Sequence, residues 1–264
     1  MNVLRPRRRS KGEERSEELG AMTLVEHLAE LRSRLLRSIA AVAVGAVVVW
    51  FAYPLFIGEL RDLLLQSCPD DVQCSVIQQS PIQGLSTRLT VSGYGGLAVA
   101  LPVLLWQVWR FVTPGLYRRE RRLAAPFVLA SYVLFLSGAA LAWLVLPKGL
   151  AFLAGFGAGT DQLYSVNEYT GFVVKTAIGF GIGFEFPVLL VFLQLVGVVD
   201  HRRLGGWRHY AVVLIVLLAA VITPGGDVFS LLALSIPMYV LYEVSLLIGW
   251  AMARRRHRRA LDGS

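Results

Sequence analysis

Apolar residues fill long runs of this chain, each bounded by a short polar stretch. The first run covers 35–57 and carries Trp50 and Tyr53 towards its far end. The next covers 85–111 with Pro102 inside, and a third covers 123–146, bounded by Pro147. A fourth, 169–199, holds Lys175, Gly179-x-Gly-x-Gly183, Glu185 and Pro187. The last two, 211–222 and 228–250, are joined by a Thr-Pro-Gly-Gly-Asp turn. About 20 apolar residues cross a hydrocarbon layer of ~30 Å as a helix, so the pattern predicts six transmembrane helices. The stretch 58–86 reads as a polar loop, and 148–168 is Gly-rich and mixed, with Asp161, Asn167 and Glu168. Ahead of the first run, Thr23 and Glu26 form a candidate capping box. Leu24, Leu28, Leu31 and Leu35 then recur at helical spacing, with Glu26, Glu30, Ser33, Arg34 and Arg37 on another face. That segment reads as an amphipathic interfacial turn leading into the first span.

The fifth run does not fit an ordinary bundle. Its 12 residues cover only about 18 Å as a helix. Either flanking polar residues sink and the bilayer thins beside the fifth and sixth spans, or Trp207 to Tyr210 extend the helix into the headgroups.

Composition agrees with a membrane protein: 55% of the 264 residues are hydrophobic and 17% charged, against about a quarter charged in soluble domains. Mean hydropathy is +0.58. The formal net charge of +8 lies in blocks between apolar runs, a pattern of topology and not of nucleic-acid binding. Alternate segments (1–37, 110–122, 198–208 and 254–259) hold nine, five, three and five Lys or Arg residues, 22 of the 26. The positive-inside bias therefore puts both termini in the cytoplasm and makes an even number of spans. Residues 1–20 read as a disordered charged tail, 21–253 as the six-helix domain and 254–264 as a basic cytoplasmic tail. Arg7-Arg8-Arg9 is not read as an export signal, because no apolar region follows it closely. Cys68 and Cys74 share one polar loop in a C-x5-C spacing that matches no zinc or redox motif. They are either a small disulfide or two free thiols.

Four acids stand in informative contexts. Glu30 precedes Arg34 by four residues, the orientation of a helical ion pair, and is either a solvated pair or a binding group. Glu120 sits among arginines after Thr113-Pro114-Gly115, yet Leu116, Tyr117, Leu123 and Ala124, at its helical contact spacings, are uncharged. It either answers a helix dipole or faces a partner. Glu185 lies deep in a span, and an intramembrane carboxylate is a functional hypothesis by default. Glu243 is a second such case, with Tyr239 and Tyr242 as nearby donors. His27 and Glu30 make H-x-x-E, not the H-E-x-x-H zinc pattern. No nucleophile–base pair or metal set is expected, so neither an enzyme nor a cofactor is predicted. On the residues alone, a proton- or ion-coupled transporter of small solutes is the competing class, against which no internal repeat is visible.

The segments HLAELRSRL (27–35), QVWRFVTPGLYRRERR (107–122), FGIGFEFPV (180–188), TPGGDVFS (223–230) and IPMYVLYE (236–243), in this order, resemble the TatC family, the multispanning subunit of the twin-arginine protein translocase. The resemblance implies an all-α, glove-shaped protein of six helices in a bacterial-type cytoplasmic membrane, with both termini cytoplasmic and short fifth and sixth helices. It implies a receptor for twin-arginine signal peptides that assembles as a homo-oligomer. With TatA- and TatB-type single-span subunits it would export folded proteins on the proton-motive force. By motif, Glu30 and Arg32 match the N-terminal segment and Phe111 and Glu120 the first cytoplasmic loop, which the resemblance implies bind the signal peptide, the two carboxylates contacting its arginines; Glu185 matches the buried polar glutamate of the fourth helix, and Asp227 the acid of the last external turn. That turn reads Pro-Gly-Gly-Asp where some members carry a tighter Pro-Pro-Asp.

Overall fold

The computed structural model describes residues 24–67, 74–112, 124–156, 162–223 and 227–261. Among these residues, five helices are long and apolar enough to cross a membrane, and a sixth is shorter. Helix α1 is Leu24–Ser67, α2 Gln83–Val112, α3 Ala124–Gly155 and α4 Val166–Val196. A one-and-a-half-turn helix α5, His201–Gly206, leads to α6, Arg208–Ile222, and the chain returns through α7, Val228–Leu261. Strands β1 (Cys74–Ile77) and β2 (Gln162–Ser165) pair in parallel, Cys74 opposite Gln162 and Ile77 opposite Ser165. The pair joins the α1–α2 and α3–α4 connections. This face is the sheet side, and the opposite face, where α1 begins and α7 ends, is the termini side.

Three sequence expectations are corrected. Residues 58–67 are helix, not loop. Leu60, Leu63 and Leu64 recur at i, i+3 and i+4 there and bury against Leu146, Leu150, Tyr169 and Val173, and the Tyr169 hydroxyl donates to the Leu60 carbonyl at 2.8 Å. Pro147 does not end the third span, because α3 runs on to Gly155 with Leu150 and Ala154 buried. Membrane helices tolerate proline when neighbours compensate the lost hydrogen bond. Of the two final helices only α6 is short: 15 residues, about 22 Å. The apolar part of α7 is 27 residues, about 40 Å, ample for a full crossing.

Lipid tails give helices no hydrophobic reason to associate, so close packing through small residues does that work. α1 and α2 meet at Gly45 and Gly96, where a Cβ on Gly45 would come within 2.6 Å of the Gly96 carbonyl oxygen. The glycine repeat in α4 serves two faces. Gly179 and Gly183 abut Ile222 and Leu234, while Gly181 receives the Phe135 ring of α3. Around this contact lies the main core, with Phe180, Leu234, Met238 and Ile215 all at most 1% exposed. Gly197 then ends α4 with φ of 81°, a left-handed conformation that glycine adopts without steric cost.

Proline creates one polar demand that a distant residue meets. Pro54 lies inside α1 and has no N–H, so the carbonyl of Trp50, four residues earlier, lacks its helical donor. Arg88 of α2 supplies the bond instead, from Nε at 3.2 Å and Nη2 at 2.8 Å. Its guanidinium lies over the Trp50 ring at 4.4 Å and near the Tyr53 ring at 5.4 Å.

Candidate functional site

Between α2, α3 and α4 on one side and α6 and α7 on the other lies an open cavity of about 480 Å³. Its walls are apolar side chains such as Val108, Phe186, Leu189 and Leu218, interrupted by Ser131 and Glu185. Trp109 (α2), Phe127 (α3) and Phe192 (α4) close its termini-side end. Trp109 stacks on Phe127 at 4.9 Å and meets Phe192 edge-on at 5.2 Å. These rings converge because α2 ends, α3 begins and α4 ends at this face.

Glu185 projects from α4 eleven residues before that helix ends, about 16 Å below the termini-side face. Ser131 of α3 is its hydroxyl neighbour, while Oε1 is buried without a hydrogen-bond partner among the described residues. A carboxyl group held this way is costly, and it presents a hydrogen-bonding atom inside an otherwise apolar wall.

Glu30 and Arg34 do form the ion pair expected of their spacing. The Arg34 Nε donates to Glu30 Oε1 at 3.1 Å, and Nη2 bonds the same oxygen. Arg34 is 8% exposed, so this pair is not a solvated surface feature. Glu30 Oε2 and Arg34 Nη1 are both buried and unpartnered among the described residues, which leaves each ion one unused position. Arg32, on another face of α1, is exposed, and Phe111 is half-buried in the last turn of α2. Glu120 and Cys68 lie outside the described residues, and Cys74 opens β1.

The other two acids have structural partners. Glu243 is not a lone intramembrane carboxylate. Arg208 grips it with two bonds, Nε to Oε1 at 2.8 Å and Nη2 to Oε2 at 2.9 Å, and the Tyr239 hydroxyl donates to Oε1 at 3.0 Å. Tyr242, the other expected donor, bonds the Leu204 carbonyl. The signal for Arg208 was present in the spacing. It stands 14 residues before the end of α6 and Glu243 stands 15 after the start of α7, so an antiparallel pair brings them level. Asp227 is 1% exposed and caps α7, its Oδ1 accepting from the Ser230 N–H at 2.7 Å. Gly149 of α3 makes room for it, since a Cβ there would stand 3.2 Å from Oδ1. The structure therefore gathers Glu185 with Ser131 and the aromatic cluster, keeps Glu30 near the start of α1, pairs Glu243 with Arg208 and Tyr239, and sets Asp227 ahead of α7 with its Oδ2 unpartnered among the described residues. Ser131 carried no sequence signal, because a lone serine in an apolar run is ordinary.

Among the described residues no group of three or more His, Cys, Asp or Glu could hold a metal ion.

Comparison with known proteins covers most of the chain. The family model for the Sec-independent protein translocase protein TatC matches residues 26–237. The Sec-independent protein translocase protein TatC of Xylanimonas cellulosilytica is 42% identical over 241 residues, covering 90% of this chain and 87% of the relative. That of Aquifex aeolicus is 37% identical over 240 residues, covering 89% and 98%. A crystal structure of the twin-arginine translocase receptor TatC superposes with a TM-score of 0.71 at 37% identity, covering 86% of this chain and 99% of that one.

Proposed function

This chain belongs to the TatC family of Sec-independent protein translocase proteins, and from that membership we propose that it is the receptor for signal peptides bearing two consecutive arginines. It is a multi-pass membrane protein and a translocase component, of a family not known for enzymes. In the proposed reading the termini side is cytoplasmic, in line with the lysine and arginine bias of its segments.

The observation that carries the reading is the apolar cavity that ends at Trp109, Phe127 and Phe192, next in sequence to the arginine-rich stretch holding Glu120. A signal peptide pairs a charged region with an apolar region of about 7–15 residues. The cavity suits the second part, and carboxylates at the cytoplasmic face suit the first. Glu30 already has one oxygen bound to Arg34, and its Oε2, buried and unpartnered among the described residues, is the acceptor for a signal arginine. Glu120 is the second acceptor. A planar guanidinium forms directed, charge-assisted bonds to a carboxylate that an ammonium does not reproduce, so two such acceptors select Arg-Arg over Lys-Lys. The surrounding arginines repel other cations. Once the peptide is bound, TatA- and TatB-type subunits assemble on the receptor and folded cargo crosses on the proton-motive force. Bilayer thinning beside the 15-residue α6 favours that passage.

The test is site-specific crosslinking of a twin-arginine peptide in membranes. Glu30→Ala and Glu120→Ala should each weaken it by about tenfold, the scale of one charged hydrogen bond. Unchanged crosslinking in both variants would remove the assignment.

A further inference from the structure

A second cavity, of about 340 Å³, lies between α1, α2, α3 and α4 and is separate from the first. Every lining residue is apolar, with Val49 and Phe56 from α1, Val91 and Val99 from α2, Phe135 from α3 and Ile178 from α4 among them. Val91 and Phe135 are each 3% exposed, so the space reaches between the helices and is more than a surface dimple. An apolar cavity of ~150 Å³ stays free of water and takes up benzene. This one has more than twice that volume and no polar partner for water. In a bilayer the abundant apolar chain is the tail of a lipid.

One helical turn along α2 from the lining residue Val91, towards the sheet side, stands a charge. On α2, Arg88, Val91, Gly95 and Val99 fall on one helical face, and Arg88 stands five residues from the helix start on the sheet side, about 8 Å in. That is near the sheet-side end of the apolar stretch Gln83–Phe111, and Trp50 and Tyr53, over whose rings Arg88 lies, are residue types that favour the headgroup level. Two of the guanidinium nitrogens serve the Trp50 carbonyl. Nη1 makes no hydrogen bond among the described residues, and no described carboxylate pairs with Arg88. A guanidinium fixed at a membrane interface by a neutral carbonyl keeps its whole positive charge and suits a phosphate.

We propose that this protein binds one phospholipid of the sheet-side leaflet, its phosphate on Arg88 and one acyl chain in the cavity between α1, α2, α3 and α4. The bound lipid completes the packing of α1 and α2 against α3 and α4, where side chains leave a gap. The inference depends on the fold alone and not on signal-peptide recognition.

The experiment reconstitutes the full chain in nanodiscs containing a trace of phospholipid with a photoactivatable group midway along one acyl chain. Labelled residues are then mapped by mass spectrometry. Labelling should concentrate on Val91–Val99, Phe135 and Ile178 and exceed that of lipid-facing Leu144 and Val221. A diacylglycerol with the same chains and no phosphate should label these residues about tenfold less, the loss expected for one charged hydrogen bond. Arg88→Gln should remove that preference while leaving a donor for Trp50. If Arg88→Gln does not fold, Ala98→Leu and Ala139→Leu decide the matter. Both fill the cavity from its walls with Arg88 intact, and each should abolish the labelling without lowering Tm. Labelling equal to that of Leu144 and Val221, no preference for phospholipid over diacylglycerol in the wild type, or labelling that survives both filling substitutions would overturn the proposal.

Discussion

Replacing Glu185 separates a fold-supporting carboxyl from a functional one. Its Oε1 is buried without a partner among the described residues, and its surroundings are the apolar walls of the larger cavity together with Ser131. An unsatisfied buried polar atom costs about 1–3 kcal/mol, and an apolar side chain of similar size removes that cost. Glu185→Leu should therefore stabilise the protein. At about 2–4 °C per kcal/mol for a chain of this size, Tm in detergent should rise by several degrees. Export should nevertheless fall, because the hydrogen-bonding atom in the cavity is lost. Glu185→Gln, which keeps such an atom, should export better than Glu185→Leu. The assay pairs thermal unfolding of the purified variants with transport of a folded reporter. A drop in both Tm and export for Glu185→Leu would refute the reasoning, since the carboxyl would then be a packing element. Equal loss of export with Gln and Leu would point to a charge- or proton-carrying role instead.

Three further predictions concern packing. Asp227→Ala should lower stability by about 1 kcal/mol, the usual value of an N-cap, whereas Asp227→Asn or Asp227→Ser should keep most of it, as read by thermal unfolding. Arg208→Glu and Glu243→Arg should each lower Tm, and the double swap should restore it, because the bidentate pair would be rebuilt in reverse. Failure of the swap to rescue would show that the pair is incidental. At Gly138, where a Cβ would stand 2.5 Å from the Phe180 carbonyl oxygen, Gly138→Ala should cost about 1–3 kcal/mol through overpacking, checked by the same unfolding measurement.

Much of this architecture was legible in the sequence, for reasons specific to membranes. Long apolar runs have few alternatives to a spanning helix, and arginine counts set the parity of the crossings. What escaped was written at finer grain. Leu60, Leu63 and Leu64 lie among Glu59, Arg61, Asp62 and Gln66, so average polarity hid a three-residue helical stripe. Pro147 reads as a boundary unless the leucine and alanine beyond it are known to have a core to enter. The pairing of Cys74–Ile77 with Gln162–Ser165 joins segments more than 80 residues apart, which local pattern does not encode. Among the acids, Glu30–Arg34 followed from spacing alone. Glu243 needed the register between α6 and α7, and Asp227 needed only its place ahead of Ser230 to be recognised as a cap. Glu185 stood out in the sequence because apolar surroundings make any carboxylate conspicuous.

The proposal that this chain selects paired arginines rests on the directed bonds a guanidinium makes to a carboxylate, and a binding comparison tests it most directly. Membranes containing the protein should bind an Arg-Arg signal peptide at least about tenfold more tightly than the same peptide with Lys-Lys, the scale of one charged hydrogen bond. The difference should shrink when Glu30 and Glu120 are both replaced by alanine. Equal binding of the two peptides to the wild-type protein would contradict the account.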